Sequence, residues 1–421
     1  MSAIVIALVV STGVLLLLRG HWSFAALLAV RCLTLVTIVP YVDRQYGSSG
    51  VGIDATFYEQ QVSLMHQGMI HIPFSFTNGT SNIVVINGWI QQVLHIGPLA
   101  LTTLLQIPLV LLSLRAWRYA RVAVPASARS FTLMVLVWAP SMIFWTTNYG
   151  KDIWVYLGAI LVLSSALAIY SKGSRLISWE VTAILGGLLL ISVLKPYITL
   201  ALIAGLLFQA GFGRTRQWYR VPLGRQILKI SGLIIIAWIA FRLERNLLGG
   251  SAGQSLLQQV SQKADLLSSG GSAISLGSAS SVAGVVARTP FSLLATFFRP
   301  SVFDAHSVFT WVVTLEVAAF WIGCVFTTYR IRQSGFDSET GRGAHQMGRV
   351  GLIALLILGT ALAPVLGNLG TLARVRVFDY PYLAFLPCYF AGLRSAKARV
   401  AARSRIPLTA AHQTSHQGAD L

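Results

Sequence analysis

Acidic residues are scarce in this chain. Only 13 of its 421 residues are Asp or Glu, against 32 Lys and Arg, and all charged types together make up 11%. A soluble domain carries roughly a quarter of its residues as charges, so a large water-facing surface is excluded. Cysteine is nearly absent as well. Cys32, Cys324 and Cys388 all fall inside apolar runs, read as small hydrophobes and fix no redox compartment. The chain lacks a Walker A loop, a GxGxxG fingerprint, an HExxH pair and a CxxC cluster, so no motif marks an ATP-driven pump or a nicotinamide enzyme. It also lacks the period-two alternation of barrel strands, which excludes a β-barrel. No internal repeat is visible, which counts against an inverted-repeat transporter.

What is present is apolar. Hydrophobic residues make up 55% of the chain, mean hydropathy is +0.69, and runs of roughly 17–22 apolar residues recur from end to end. An all-α, polytopic membrane protein is the expected class. About eleven spans are expected, near 2–18, 24–41, 96–114, 130–148, 153–170, 180–194, 196–212, 227–243, 307–328, 350–367 and 377–393. Arg19 follows the first run and no basic residue precedes it. A cleavable signal peptide has the reverse pattern, so this run is expected to remain as a span.

Charge alternates between successive loops. One set holds 21 of the 32 basic residues with Glu180, Asp337, Glu339 and Asp420; the other holds 11 basic and nine acidic residues. The positive-inside rule makes the first set cytoplasmic, with the N-terminus outside and the C-terminus inside. The net charge of +19 is therefore an orientation signal in short loops and does not point to nucleic acid. One helical membrane domain is expected over 1–394, followed by a basic cytoplasmic tail, 395–421. Two long loops, 42–95 and 244–306, fall outside, the second rich in Gly and Ser over 249–287. Large outer loops over a small inner face locate chemistry outside.

Five outer segments carry the candidate residues. In Gly52–Gly68, Tyr58, Val62 and Met65 recur at helical spacing, so an amphipathic helix on the membrane is expected, ended by Gly68. Asp54 stands in or before its first turn. The plain structural reading is an N-cap, favoured about two to one from spacing alone; the functional reading is a general base, with Glu59 as a second acid and Tyr58 four residues on from Asp54. In Pro140–Asp152, Lys151 and Asp152 occupy a tight turn. They are either a dipole-compensating acid beside a snorkelling lysine, or a lysine that neutralises phosphate beside open helix N–H groups. Lys195-Pro196-Tyr197 makes another outer turn; Lys195 alone reads as snorkelling, but with Lys151 it reads as part of an anion site.

Arg299 lies in Phe298–Asp304, before a span that contains Glu316. A carboxylate at that depth needs a partner or a water-filled cavity, and Arg31, also within a span, is one candidate partner. Finally, Gly367–Pro381 is expected to join the last two spans outside. Arg374 and Arg376 there oppose the orientation rule, so each needs a partner, and phosphate is the natural one for a guanidinium.

This order of motifs resembles bacterial membrane proteins of polysaccharide assembly: GT-C-type glycosyltransferases that use polyprenyl-phosphate sugars, and O-antigen-polymerase-like proteins. It runs from the outer-loop Asp54 with Tyr58, through Pro-Ser-x-x-Phe-Trp-Thr-Thr with Lys151-Asp152, Lys195-Pro196-Tyr197 and Phe-Arg299-Pro, to Gly-Thr-Leu-Ala-Arg374-x-Arg376. The resemblance implies inverting glycosyl transfer at the outer face of the inner membrane, from a polyprenyl-(di)phosphate-linked donor to a glycan or lipid-linked acceptor. It implies Asp54 as base, and Lys151, Lys195, Arg374 and Arg376 as holders of the lipid phosphate. Other polysaccharide-assembly proteins would be natural partners. No motif implies a cofactor, and a divalent metal at the outer carboxylates stays open. The chain departs from the pattern in two respects. Asp54 has no adjacent acid, and a short basic tail stands where many GT-C enzymes carry a soluble domain; the second departure favours a polymerase. A transporter or flippase of an anionic lipid-linked substrate, and a non-catalytic assembly scaffold, are the competing classes.

Overall fold

In a computed structural model, the described residues are 3–41, 53–74, 78–172, 177–212, 282–305, 307–334, 342–362 and 369–393. Every regular element among them is helical. The first pair is α1 (Ala3–Leu18) and α2 (Trp22–Leu33), the latter continued by a π-helical turn, Thr34–Ile38. Then come α3 (Ile53–His66), α4 (Gly79–Leu94), α5 (Pro98–Ala123), α6 (Ala126–Val137) and the short α7 (Pro140–Thr146). The series continues with α8 (Lys151–Lys172), α9 (Ile177–Leu194) and α10 (Pro196–Phe212). It closes with α11 (Val282–Phe298), α12 (Val308–Gln333), α13 (Arg342–Leu362) and α14 (Leu369–Leu383).

Proline starts α5, α7 and α10, where its missing N–H costs nothing and its fixed φ suits the first turn. Asn78 caps α4 by accepting from the N–H groups of Thr80 and Ser81. Gly68, at φ +70°, ends α3 as its sequence position implied.

Among the described residues, five helical stretches are long and apolar enough to cross a membrane: 22–41, 98–123, 126–146, 151–171 and 310–333. Their outward faces match that reading. Leu315, Ile322, Val325 and Phe326 on α12 are all more than half exposed, as are Leu185 and Leu189 on α9. Water would penalise such a surface, whereas lipid accommodates it.

Helix α8 forms the centre of the bundle, packed on α5 and α9. At its crossing with α9, Gly158 and Gly187 face each other, and a Cβ on either would stand 2.8 Å from the other's carbonyl oxygen. In lipid, where apolar side chains gain little from leaving solvent, such close backbone approach supplies the packing.

Three expected boundaries are corrected. The span expected at 130–148 runs over 126–146 and is broken at Trp138–Ala139, ahead of Pro140, into α6 and α7. The outer loop expected at 244–306 contains α11, which packs on α13 through the Ser292 hydroxyl donating to Gly359 O at 2.9 Å. The segment expected as the last outer loop is α14, which starts at Leu369, eight residues before the span expected from 377. Hydropathy misses α14 because glycine, proline and arginine interrupt it. The loop expected at 42–95 also holds α3 and α4. The span expected at 227–243 and most of the Gly/Ser-rich stretch, like the basic tail, lie outside the described residues.

The first turn of α4 seats directly on the α9–α10 turn. Asn82 donates to Val193 O at 2.8 Å. A Cβ at residue 79 would fall 1.9 Å from Leu194 O. Gly79→Ala is therefore expected to destabilise the detergent-solubilised protein by about 1–3 kcal/mol. Gly13→Ala, at a position with nothing within 4 Å, should leave the unfolding midpoint unchanged; equal midpoints for both variants would refute the packing.

Candidate functional site

The site is built where four backbone segments converge. Asp152 comes from the first turn of α8, Lys195 from the α9–α10 turn, Arg374 from α14 and Trp145 from α7. The Asp152 carboxylate accepts from Lys195 Nζ at 2.6 Å through Oδ1, and from Arg374 Nε through Oδ2. Both Asp152 and Lys195 have side chains only 5% exposed, and that of Arg374 is 21% exposed. The Lys195 ammonium also lies 4.3 Å above the Phe378 ring, and the Arg374 guanidinium 5.3 Å above the Trp145 ring. Aromatic faces thus supply part of the negative potential that one carboxylate cannot give two cations.

Lys151 adds a further positive charge within electrostatic reach of Asp152. The cluster also lies among helix starts. α8 and α10 both begin here, and the first turn of α4 sits on Leu194. Their unpaired N–H groups and dipoles add to the positive potential.

Tyr58 joins from α3. Its side chain is 2% exposed and packs against Gly150, where a Cβ would meet the ring at 3.3 Å. Next to it, Tyr149 accepts a hydrogen bond from Gln91 Nε2 at 2.7 Å. Burial holds the Tyr149 phenol above its ordinary value; hydrogen bonds with Asn87 and Gln91 oppose that, and the Glu59 charge adds to it. Glu59 itself is exposed. Asp54 lies in the first turn of α3, one turn before Tyr58; its side chain falls outside the described residues.

A second polar cluster lies along α14. Arg376, 4% exposed, donates from Nε to Thr296 O at 3.0 Å and from Nη2 to Arg299 O. Arg299 pairs with Asp304 at 3.5 Å. Glu316 accepts from the Ser141 hydroxyl at 2.6 Å and the Ser141 N–H at 2.7 Å, and is hydrogen-bonded to Tyr380. The cause is local: the break at Trp138–Ala139 leaves the first N–H groups of α7 without intrahelical partners, and a carboxylate from α12 caps them.

Four expectations change. Lys195 is a buried ion-pair partner of Asp152 and does not snorkel. The partner of Arg374 is Asp152, and those of Arg376 are two backbone carbonyls, so neither guanidinium depends on phosphate for all its bonds. Arg299 and Arg376 belong to the second cluster, away from the Asp152 ion pairs. Arg31 does not pair with Glu316: it donates to Gln106 Oε1 at 2.7 Å and to the Thr146 hydroxyl. Tyr197 is partly buried against the core.

Sequence reasoning reads Trp145 only as an interface anchor and assigns no role to Ser141, Phe378, Tyr380 or Asp379, although all but Phe378 are visible as polar or amphipathic groups in apolar segments. Asp379 is 0% exposed, and neither of its carboxylate oxygens has a hydrogen-bond partner among the described residues. Among the described residues, no three His, Cys, Asp or Glu side chains gather as metal ligands.

Comparison with family models, with curated proteins and with solved structures finds no match to this chain.

Removing one partner from a buried ion pair costs about 3–5 kcal/mol, since it strands the remaining charge. Asp152→Asn is therefore expected to lower the unfolding midpoint sharply, and Lys195→Met added to it should recover part of the loss. An Asp152→Asn protein as stable as wild type would refute the shared ion pair.

Proposed function

We propose that the chain is a glycosyltransferase of bacterial envelope polysaccharide assembly, with about eleven spans, its N-terminus outside the inner membrane and its C-terminus inside. It would act at the outer face, on a donor sugar linked to a polyprenyl (di)phosphate. One observation carries this reading: Lys195 and Arg374 share a single buried carboxylate beside Lys151 and two helix starts. An arrangement of that kind has positive charge fixed in place before any ligand arrives. Fixed donors stabilise charge that develops on a leaving group without reorganisation at the moment of reaction.

In this reaction an acceptor hydroxyl oxygen attacks the anomeric carbon and its proton passes to Asp54. The bond from that carbon to the phosphate oxygen breaks with inversion. Its electron pair leaves on the lipid (di)phosphate, facing Lys151, Lys195 and Arg374. Tyr58 brings α3, and with it Asp54, to the same corner. Glu59, exposed on that helix, is a second acid on the acceptor side. Arg376 and Arg299 shape the second cluster and act as positioning residues. The same cation cluster serves single-sugar transfer or chain polymerisation, and product length separates the two. A flippase reading draws on charge buried within the spans. Arg31 and Glu316 are held there by polar side chains and backbone N–H groups of neighbouring helices, an arrangement suited to fixing the bundle.

The test is a profile of lipid-linked oligosaccharides and finished glycan in cells carrying wild type, a deletion, Asp54→Asn or Lys151→Met. The deletion and Asp54→Asn should accumulate the same lipid-linked intermediate, and Lys151→Met should lower product by about 10²-fold, the order seen on loss of one charge-stabilising donor. Normal glycan from an Asp54→Asn protein would leave that residue as a helix cap and remove its catalytic role.

A further inference from the structure

At the opposite end of the bundle, α1, the α1–α2 turn and the C-terminal half of α5 enclose a pocket of about 150 Å³. Its floor and sides are Leu15, Leu16, Leu111 and Leu114, and its rim carries Arg19, His21, Arg115 and Arg118. The rim is ordered by side-chain contacts. Arg118 Nη2 donates to His21 Nε2 at 2.8 Å. That bond requires the neutral imidazole to accept through Nε2, which leaves the proton on Nδ1. Arg115 is held by Glu180 and reaches the hydroxyls of Ser164 and Ser165 at 3.4 and 3.3 Å. Glu180 therefore compensates Arg115, whereas Arg19 and Arg118 have no acidic partner among the described residues. The crowding registers on His21: burial, then Arg118, Arg121 and Arg19, hold its imidazole below its ordinary value.

We infer that this pocket binds the phosphate group of an anionic phospholipid. Arg19 and Arg118 would face the phosphate, and an acyl chain would lie along Leu15 and Leu111. Two features favour a lipid over a soluble anion. The cations stand at the mouth of an apolar slot, and Leu15 and Leu111 are 48% and 43% exposed beside it. A guanidinium pair suits a phosphate diester, which it binds through paired N–H donors. The inference is independent of the proposed transferase activity, because none of these residues belongs to the Asp152 cluster.

Native mass spectrometry of the full-length protein in detergent tests it, with added phosphatidylglycerol, phosphatidylcholine or inorganic phosphate. Arg19→Gln/Arg118→Gln is the pocket variant. Arg121→Gln is the control, since Arg121 is exposed on the same helix but does not line the pocket. Wild type should retain one phosphatidylglycerol in preference to phosphatidylcholine. The double variant should lose roughly tenfold or more in affinity, and Arg121→Gln should match wild type. Equal losses in the double variant and the control would reduce the effect to general surface charge and overturn the site. Binding of inorganic phosphate with no preference among lipids would overturn the lipid assignment. Unaltered binding in the double variant would overturn the proposal whole.

Discussion

The arrangement depends on one carboxylate shared between two cations. Asp152 sits in the first turn of α8, the most enclosed of the five candidate spans among the described residues, and draws in Lys195 from the α9–α10 turn and Arg374 from α14. These segments are far apart in sequence, so the ion pairs fix their relative placement as well as their charge. A low-dielectric setting raises the stakes on both sides. Each cation there is costly when alone, and a single acid cannot neutralise two of them. The aromatic faces of Phe378 and Trp145 supply part of the remainder.

Much of this could be read in the sequence, for a simple reason. In a chain with so few charges, each one near an apolar run stands out. Lys151, Asp152, Lys195 and Arg374 were all found that way, and they meet. Their partners were harder to read. Phosphate was expected to satisfy the Arg374–Arg376 pair, yet Arg376 is satisfied by the carbonyls of Thr296 and Arg299, which no side-chain pattern reveals. Glu316 was rightly expected to need a partner, but the wrong type was named. The helix break that exposes the Ser141 N–H exists only once α6 and α7 are set, so a cap was not among the readings and Arg31 stood as the candidate partner.

Fold boundaries failed where hydropathy is the wrong measure. Helix α14 carries Gly370, Pro381 and two arginines, all of which lower an apolar score. Each is tolerated because neighbouring helices, not local sequence, satisfy the freed or charged groups. Tyr382 donates to Ala159 O at 3.1 Å, and the Thr132 hydroxyl to Ala384 O at 3.3 Å. Helix α11 was taken for loop for a related reason: its sequence follows the Gly/Ser-rich stretch and contains Pro290, while its hydrogen bond to α13 is a tertiary fact.

The two ends of the bundle both gather basic residues, but the physics of the two gatherings differs. Around Asp152, Lys195 is buried and Arg374 partly buried, and both are paired with the carboxylate and stacked on aromatic rings, so their positions are set before any ligand arrives. Around Arg19 and Arg118 they are exposed at the rim of an apolar pocket, with a neutral histidine accepting from one of them. Fixed charge of the first kind suits an anion whose charge grows during a reaction, since its donors need not move. Adaptable charge of the second kind suits an anion that only resides there, since long arginine side chains can follow it. The orientation proposed above would account for the plentiful arginines at the second end. It does not explain the first, where Lys195 lies within the packed interior against its solvation preference. That burial, more than the net charge of the chain, is what the proposed transferase reading rests on.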